Sequence, residues 1–327
     1  MVICLSSGYC NNLEFVGKTL SQHLTLVERN NSFSIKRKNV VYSITIETIG
    51  ITKKITIAAN NQVELIYIEN LIFELLRFEN IFDGKMYTCE SLVIDGRELE
   101  SHDINKYSLP YYKSKLHYAY LGITFDNPVY KRIFLRWIKL ERDIGITHSM
   151  FLHSTYATEI PSDLKMALLL QVFEPLSDFL IRENVLTYNA QTYNRTCSKC
   201  GYVVVKTRSW TFAERLKAIV SKYGSVIFCK DSKAKIIKKA VKLRNKVIHV
   251  DNAKKGVKKG VKKGAKIGAK IGALNGNQCG FYVYKFSLLY RYIILTYLDI
   301  NTSSLLPKIA RYIEDINQQF PQCRILP

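Results

Sequence analysis
Up to about residue 125 the apolar positions come in short alternating or β-branched runs, of which Val40-Val41-Tyr42-Ser43-Ile44-Thr45-Ile46 and Lys54-Ile55-Thr56-Ile57 are the clearest. A period of two marks strands with one covered face. Asn30-Asn31 and Asn60-Asn61 supply turn signals, and residues 69–78 read as a short helix. The pattern changes after Asp126-Asn127-Pro128, a helix-start signal. Helical spacing then predicts helices over 129–142, 161–182, 211–222, 232–249, 281–298 and 305–320. The expectation is an α+β protein, with a β-rich domain over residues 1–125 and an all-helical bundle over 126–327.

One position breaks the helical pattern. Ile237, Ala240 and Val241, with Ile248 further on, trace a stripe at helical spacing, and at about 100° per residue Arg244 projects near its middle. A guanidinium is rarely placed on an apolar face unless something pairs with it. Asn245 and His249, four residues apart, lie along the edge of the same stripe. The arrangement puts a cation, an amide and an imidazole beside a surface that wants a partner. Glu174, in the apolar run Gln171-Val172-Phe173-Glu174-Pro175-Leu176, either pairs with Arg244 and holds it in place or is a boundary charge ahead of a proline kink.

Charge adds a second feature. Of a net +21, residues 230–270 supply +14, with Asp231 and Asp251 as their only acids. So local a field attracts a polyanion, nucleic acid first and an anionic membrane surface second. Much of it comes from a repeat with glycine at every fourth position over residues 254–273, which includes Lys254, Lys255, Lys258, Lys259, Lys262 and Lys263. Glycine at that density disfavours a helix, so the repeat reads as a basic loop, either a phosphate-tracking arm or an expansion without a specific role.

The eight cysteines form no dense framework, and Met1-Val2-Ile3-Cys4-Leu5 has no basic start or long apolar core, so a reducing, cytoplasmic compartment is expected. Lys285 and Arg291 interrupt the most apolar long segment, 281–300, which argues for a packed helix rather than a membrane span. Cys197-Ser198-Lys199-Cys200 has the gap of half a zinc knuckle, with Cys229, Cys279 or a second subunit as sources of further ligands and a structural zinc as the expected cofactor. His23, His102, His117, His148 and His153 form no metal motif, and phosphate-loop, nucleophile-elbow and dinucleotide fingerprints are missing. ATP-driven and hydride chemistry are thereby disfavoured.

The run Leu243-Arg244-Asn245-Lys246-Val247-Ile248-His249 resembles the arginine-polar-spacer-histidine signature of HEPN domains, helical modules that include many metal-independent ribonucleases. Phe212-Ala213-Glu214-Arg215-Leu216 and Tyr223-Gly224-Ser225-Val226-Ile227-Phe228 are similar to the ApeA-like subgroup found in abortive-infection defence proteins, and Ile81-Phe82-Asp83-Gly84-Lys85-Met86-Tyr87 resembles the N-terminal domain that accompanies it. The repeat after His249 departs from that pattern.

The resemblance implies an RNA endonuclease acting by 2′-hydroxyl transesterification without a catalytic metal. His249 would move the proton, Arg244 would stabilise the charged phosphorane, and Asn245 would orient the imidazole or bind the scissile phosphate. One histidine cannot easily serve both sides of an in-line displacement. The family's two-fold dimers, with two motifs facing one cleft, imply a homodimer here, and the apolar stripe around Arg244 is read as its surface. RNA, with transfer RNA a candidate, and a phage-derived trigger acting through the β-rich domain are the implied partners. The alternative from another class is a non-catalytic nucleic-acid-binding protein that uses the Lys/Gly arm.

Overall fold
The computed structural model describes residues 9–18, 29–50, 52–84, 87–98, 121, 126–157, 160–187, 191–196, 198–248 and 274–325. It is α+β, and contacts divide the chain into two compact units: 1–145 with 156–159 and 291–309, and 146–155 with 160–290 and 310–327. The units cut across the stretch 126–327 that the sequence sets apart, because long helices contribute residues to both.

In the first unit, strands β1 (Tyr9–Lys18), β2 (Arg29–Arg37), β3 (Val40–Ile49), β4 (Thr52–Glu64), β5 (Thr88–Ile94) and β6 (Arg97–Glu98) form one sheet in the order β2-β3-β4-β1-β5-β6, with every pairing antiparallel. The alternation works as expected: Leu13, Phe15, Ile35, Ile44, Ile46, Ile55 and Ile57 are buried, while Ser32, Ser34 and Ser43 on the opposite face are exposed.

The two asparagine pairs are not turns. Asn30 and Asn31 pair with Glu47 and Ile46 inside β2, and Asn60-Asn61 lies within β4 where the register against β1 shifts between Cys10 and Asn12. Asn60 Oδ1 accepts the Val41 N–H at 2.9 Å, so an asparagine that signals a turn serves instead at a bulge. The reversals fall at Lys38, with φ 53°, and Gly50, with φ 59°.

Helix α1 (Leu65–Asp83) lies against β1 and β4 and exceeds the expected 69–78 at both ends. Ile68, Leu71, Ile72, Leu75, Phe78, Ile81 and Phe82 bury one helical face. Gly84 ends the helix in the left-handed region and donates its N–H to Asn80 O. Arg291 then donates from Nε to Ile81 O (2.8 Å) and from Nη2 to Phe82 O (2.7 Å), satisfying carbonyls that the helix end leaves open. Lys53 and Glu79 form a buried ion pair between β4 and α1, and the Tyr130 hydroxyl also donates to Glu79.

Helices α2 (Asn127–Tyr156), α3 (Ser162–Arg182), α4 (Phe212–Tyr223), α5 (Lys233–Ile248), α6 (Gly276–Tyr297) and α7 (Thr302–Gln319) match the expected set with shifted ends. Within the second unit α3, α4 and α5 pack on one another, and Phe286 joins Phe173 and Phe228 at ring distances of 5.6 and 5.2 Å. The expected all-helical bundle needs correction, since strands β7 (Gln191–Thr196) and β8 (Val203–Arg208) form an antiparallel hairpin between α3 and α4. Thr, Tyr and Val favour that pairing, and the segment is too short and too polar for a competing helix.

Buried charge also pins the start of α5. Lys285 pairs with Asp231, whose Oδ1 accepts the Tyr282 hydroxyl at 3.0 Å; that hydroxyl in turn accepts the Ile325 N–H, and Ser232 N–H donates to Ile325 O at 2.8 Å. Among the described residues no helix is long and apolar enough to cross a membrane.

Candidate active site
The site is assembled from three helices. Thr211 caps α4 by accepting the Glu214 N–H at 3.3 Å, and Glu214 accepts the Thr211 N–H at 2.8 Å, a reciprocal box that fixes the first turn. Hydrogen bonds from the Thr211 N–H and hydroxyl hold the Glu214 carboxyl below its usual range. Phe212 is thereby seated at the first helical position, buried with Leu216, Ile219, Val220 and Tyr223.

Arg244 reaches this point from α5. Its guanidinium carbon stands 4.9 Å from the Phe212 ring centre, Nη2 donates to Glu174 Oε2 of α3 at 2.5 Å, and Nη1 donates to Asn245 Oδ1 at 3.4 Å. The Arg244 side chain is 17% exposed and that of Glu174 39%. Among the described residues Arg244 Nε, buried, has no hydrogen-bond partner, so the guanidinium is anchored without being saturated.

The stripe differs from the sequence reading. Its buried members are Ile236, Ala240 and Leu243, whereas Ile237 and Val241 are only half-buried. Arg244, four residues after Ala240, borders this stripe rather than occupying its middle. α3 and α4 pack on α5 within the chain, so Ile236, Ala240 and Leu243 belong to its core, while Ile237, Val241 and Arg244 keep part of their surface open.

Arg215, which the sequence reading passed over, is a second anchor. It donates from Nη1 to Asp178, to Ser177 Oγ at 3.0 Å and to the Glu174 carbonyl at 3.3 Å, and from Nε to Trp210 O at 3.2 Å. Glu174 therefore holds two arginines, one through its carboxylate and one through its carbonyl. It sits just ahead of Pro175, which lies inside α3 rather than ending it. The missed signal was available: Arg215 is three residues from Phe212 and four from Ile219, another cation at the margin of an apolar stripe.

His249, Lys254, Lys255, Lys258, Lys259, Lys262, Lys263 and Cys197 lie outside the described residues. Asn245 is exposed beside Arg244. Cys200 is exposed on the turn that joins β7 to β8, and Cys229 is also exposed. Cys279 is buried, donates to Leu274 O, and has its thiol pushed up to about 11 by burial. Among the described residues no three His, Cys, Asp or Glu side chains gather as a metal site.

Residues 199–264 match the model of the Apea-like HEPN family. The chain carries an Apea-like HEPN domain. The matched stretch holds Phe212, Arg215, Arg244 and Asn245, while Glu174 comes from outside it. Neither the curated proteins nor the solved structures give a match. HEPN domains are generally ribonucleases, so the match supports a nuclease or RNA-related function for this chain.

Proposed function
We propose that the chain is a metal-independent RNA endonuclease, cutting by attack of a ribose 2′-hydroxyl on the adjacent phosphate. The supporting observation is Arg244, a partly buried guanidinium lying over the Phe212 ring, tethered by Glu174 and contained in the matched HEPN stretch. A planar cation held at that border is suited to the two non-bridging oxygens of a phosphorane, where charge builds as the nucleophile adds. His249 takes the proton from the 2′-hydroxyl or gives one to the leaving 5′-oxygen, and Asn245 orients the ring or the phosphate.

Because one imidazole serves poorly on both sides of an in-line displacement, the working site is composite and two chains each contribute an Arg244–His249 pair. With the buried part of the stripe covered within the chain, the exposed end of α5 around Asn245 is the surface such a partner would meet. The biological setting we assign is abortive infection, with the β-rich unit answering a phage-derived trigger and RNA, transfer RNA included, as substrate. A zinc on Cys197 and Cys200 would have a structural role only.

Purified protein incubated with RNA in EDTA tests the reading. Products ending in 2′,3′-cyclic phosphate are expected, and Arg244→Ala or His249→Ala should abolish them while circular dichroism shows an intact fold. Undiminished cleavage by both variants would refute the assignment.

A further inference from the structure
Five of the six lysines on α5 occupy one face. Lys235, Lys238, Lys239, Lys242 and Lys246 stand at i, i+3, i+4, i+7 and i+11, a spacing that keeps them within about a third of the helix circumference. Lys235, Lys238 and Lys246 are exposed, and Lys239 and Lys242 are half-buried. The helix contains no Asp or Glu, and among the described residues no carboxylate pairs with Lys238, Lys239, Lys242 or Lys246. Like charges at i and i+4, as in Lys238–Lys242 and Lys242–Lys246, repel one another and weaken the helix. An approaching polyanion relieves that repulsion as it binds.

From this geometry we infer that the lysine face of α5 is a docking track for the sugar-phosphate backbone of RNA, distinct from the Lys/Gly repeat. The track rises about 16 Å along the helix and carries cations at every turn, which suits a run of phosphates and leaves bases unread. Asn245, three residues after Lys242, borders its C-terminal end and accepts a hydrogen bond from Arg244, so a strand on the track ends beside the amide that the nuclease reading places at the scissile phosphate. That direction rests on the nuclease reading, whereas the binding itself does not. A nucleic acid fits better than a lipid surface because the apolar residues an interfacial helix would insert, Ile236, Ala240 and Leu243, are 1%, 0% and 4% exposed within the chain.

The test uses the full chain, its variant Lys238→Gln/Lys239→Gln/Lys242→Gln/Lys246→Gln, and the corresponding four-fold Lys→Arg variant. Binding to a fluorescein-labelled 2′-O-methyl oligouridine, which cannot be cut through its 2′ position, is followed by anisotropy across a KCl series. The Gln variant should bind at least about tenfold more weakly, with the slope of log K against log salt smaller by about 3, while the Arg variant keeps both. Equal affinity and slope in the Gln variant overturn the proposal. Loss of sedimentation with phosphatidylserine vesicles, alongside unchanged oligouridine binding, overturns it in favour of a membrane. A track-dependent affinity in a chain that cleaves no RNA supports the track and removes the nuclease reading. Undiminished cleavage with unchanged binding in the Gln variant does the reverse.

Discussion
Arg244 on α5 and Glu174 on α3, seventy residues apart in sequence, meet through a 2.5 Å hydrogen bond from Nη2 to Oε2. The acid that fixes the guanidinium also lies where a phosphate would compete for it, so Glu174 is a positioning residue. Glu174→Gln should leave KM nearly unchanged and lower kcat about tenfold, equivalent to about 1.4 kcal/mol of lost transition-state stabilisation. Steady-state cleavage kinetics measure it, and an unchanged kcat would remove Glu174 from the mechanism. With its side chain 39% exposed, the same substitution should alter folding stability by less than about 1 kcal/mol.

Arg215 predicts the opposite balance. Its side chain is 12% exposed and ties α4 to Asp178, Ser177 and the Glu174 carbonyl. Arg215→Ala should destabilise the protein by about 2–3 kcal/mol, since several acceptors lose a charged donor together. Asp178→Ala, at a side chain 59% exposed, should cost less than about 1 kcal/mol. Urea unfolding of the two variants compares them directly, and equal losses would contradict this account.

Periodicity in the sequence reveals most of the helices, because most of them bury one face at 3.6-residue spacing, whereas α6 is buried nearly all round and shows as a long apolar run. It misplaces the asparagine turns for a physical reason: Asn60 uses its side-chain amide to accept the Val41 N–H within a bulged strand, a use that composition cannot distinguish from a turn. Arg244 stands out as a cation against an apolar stripe, and Glu174 as an acid in an apolar helix. Their meeting depends on how α3 and α5 pack, which no local pattern encodes. Arg215 lies within the family-like run Phe212-Ala213-Glu214-Arg215-Leu216, yet its partners Asp178, Ser177 and the Glu174 carbonyl are on α3, a packing that the run itself does not encode.

Thiol chemistry offers a check on the packing. Burial pushes the Cys10 and Cys279 thiols up to about 11 and Cys89 to about 12, whereas Cys200 and Cys229 are exposed. At pH 8 only about one in a thousand of a thiol with a pKa near 11 is ionised, and the thiolate is the reactive form. Brief iodoacetamide treatment followed by peptide mass spectrometry should find Cys200 and Cys229 modified and Cys10, Cys89 and Cys279 spared. Equal labelling of Cys279 and Cys229 would show the start of α6 to be open.

Glu141 supplies a pH signature. Burial raises its carboxyl above the ordinary range, with Arg77, bonded at 2.5 Å, acting in the opposite direction, and among the described residues Oε2 has no partner. The folded state therefore binds this proton more tightly than the unfolded chain does. The associated stability is complete below the usual carboxyl pKa and is lost as pH rises through the raised native value. Relative to Glu141→Gln, the Tm of the wild-type chain should be highest in acid and fall as pH rises toward neutrality. A difference that stays flat over that interval would contradict the raised carboxyl.

The hydrogen bond from Ser232 N–H to Ile325 O makes the first turn of α5 and the last described residues a single cooperative piece. Protection of the Ser232 amide against deuterium exchange thus reports whether the segment around Ile325 is seated. A label or fusion that displaces that segment should reach Arg244 along the helix axis, a distance of about 18 Å, without touching the site itself.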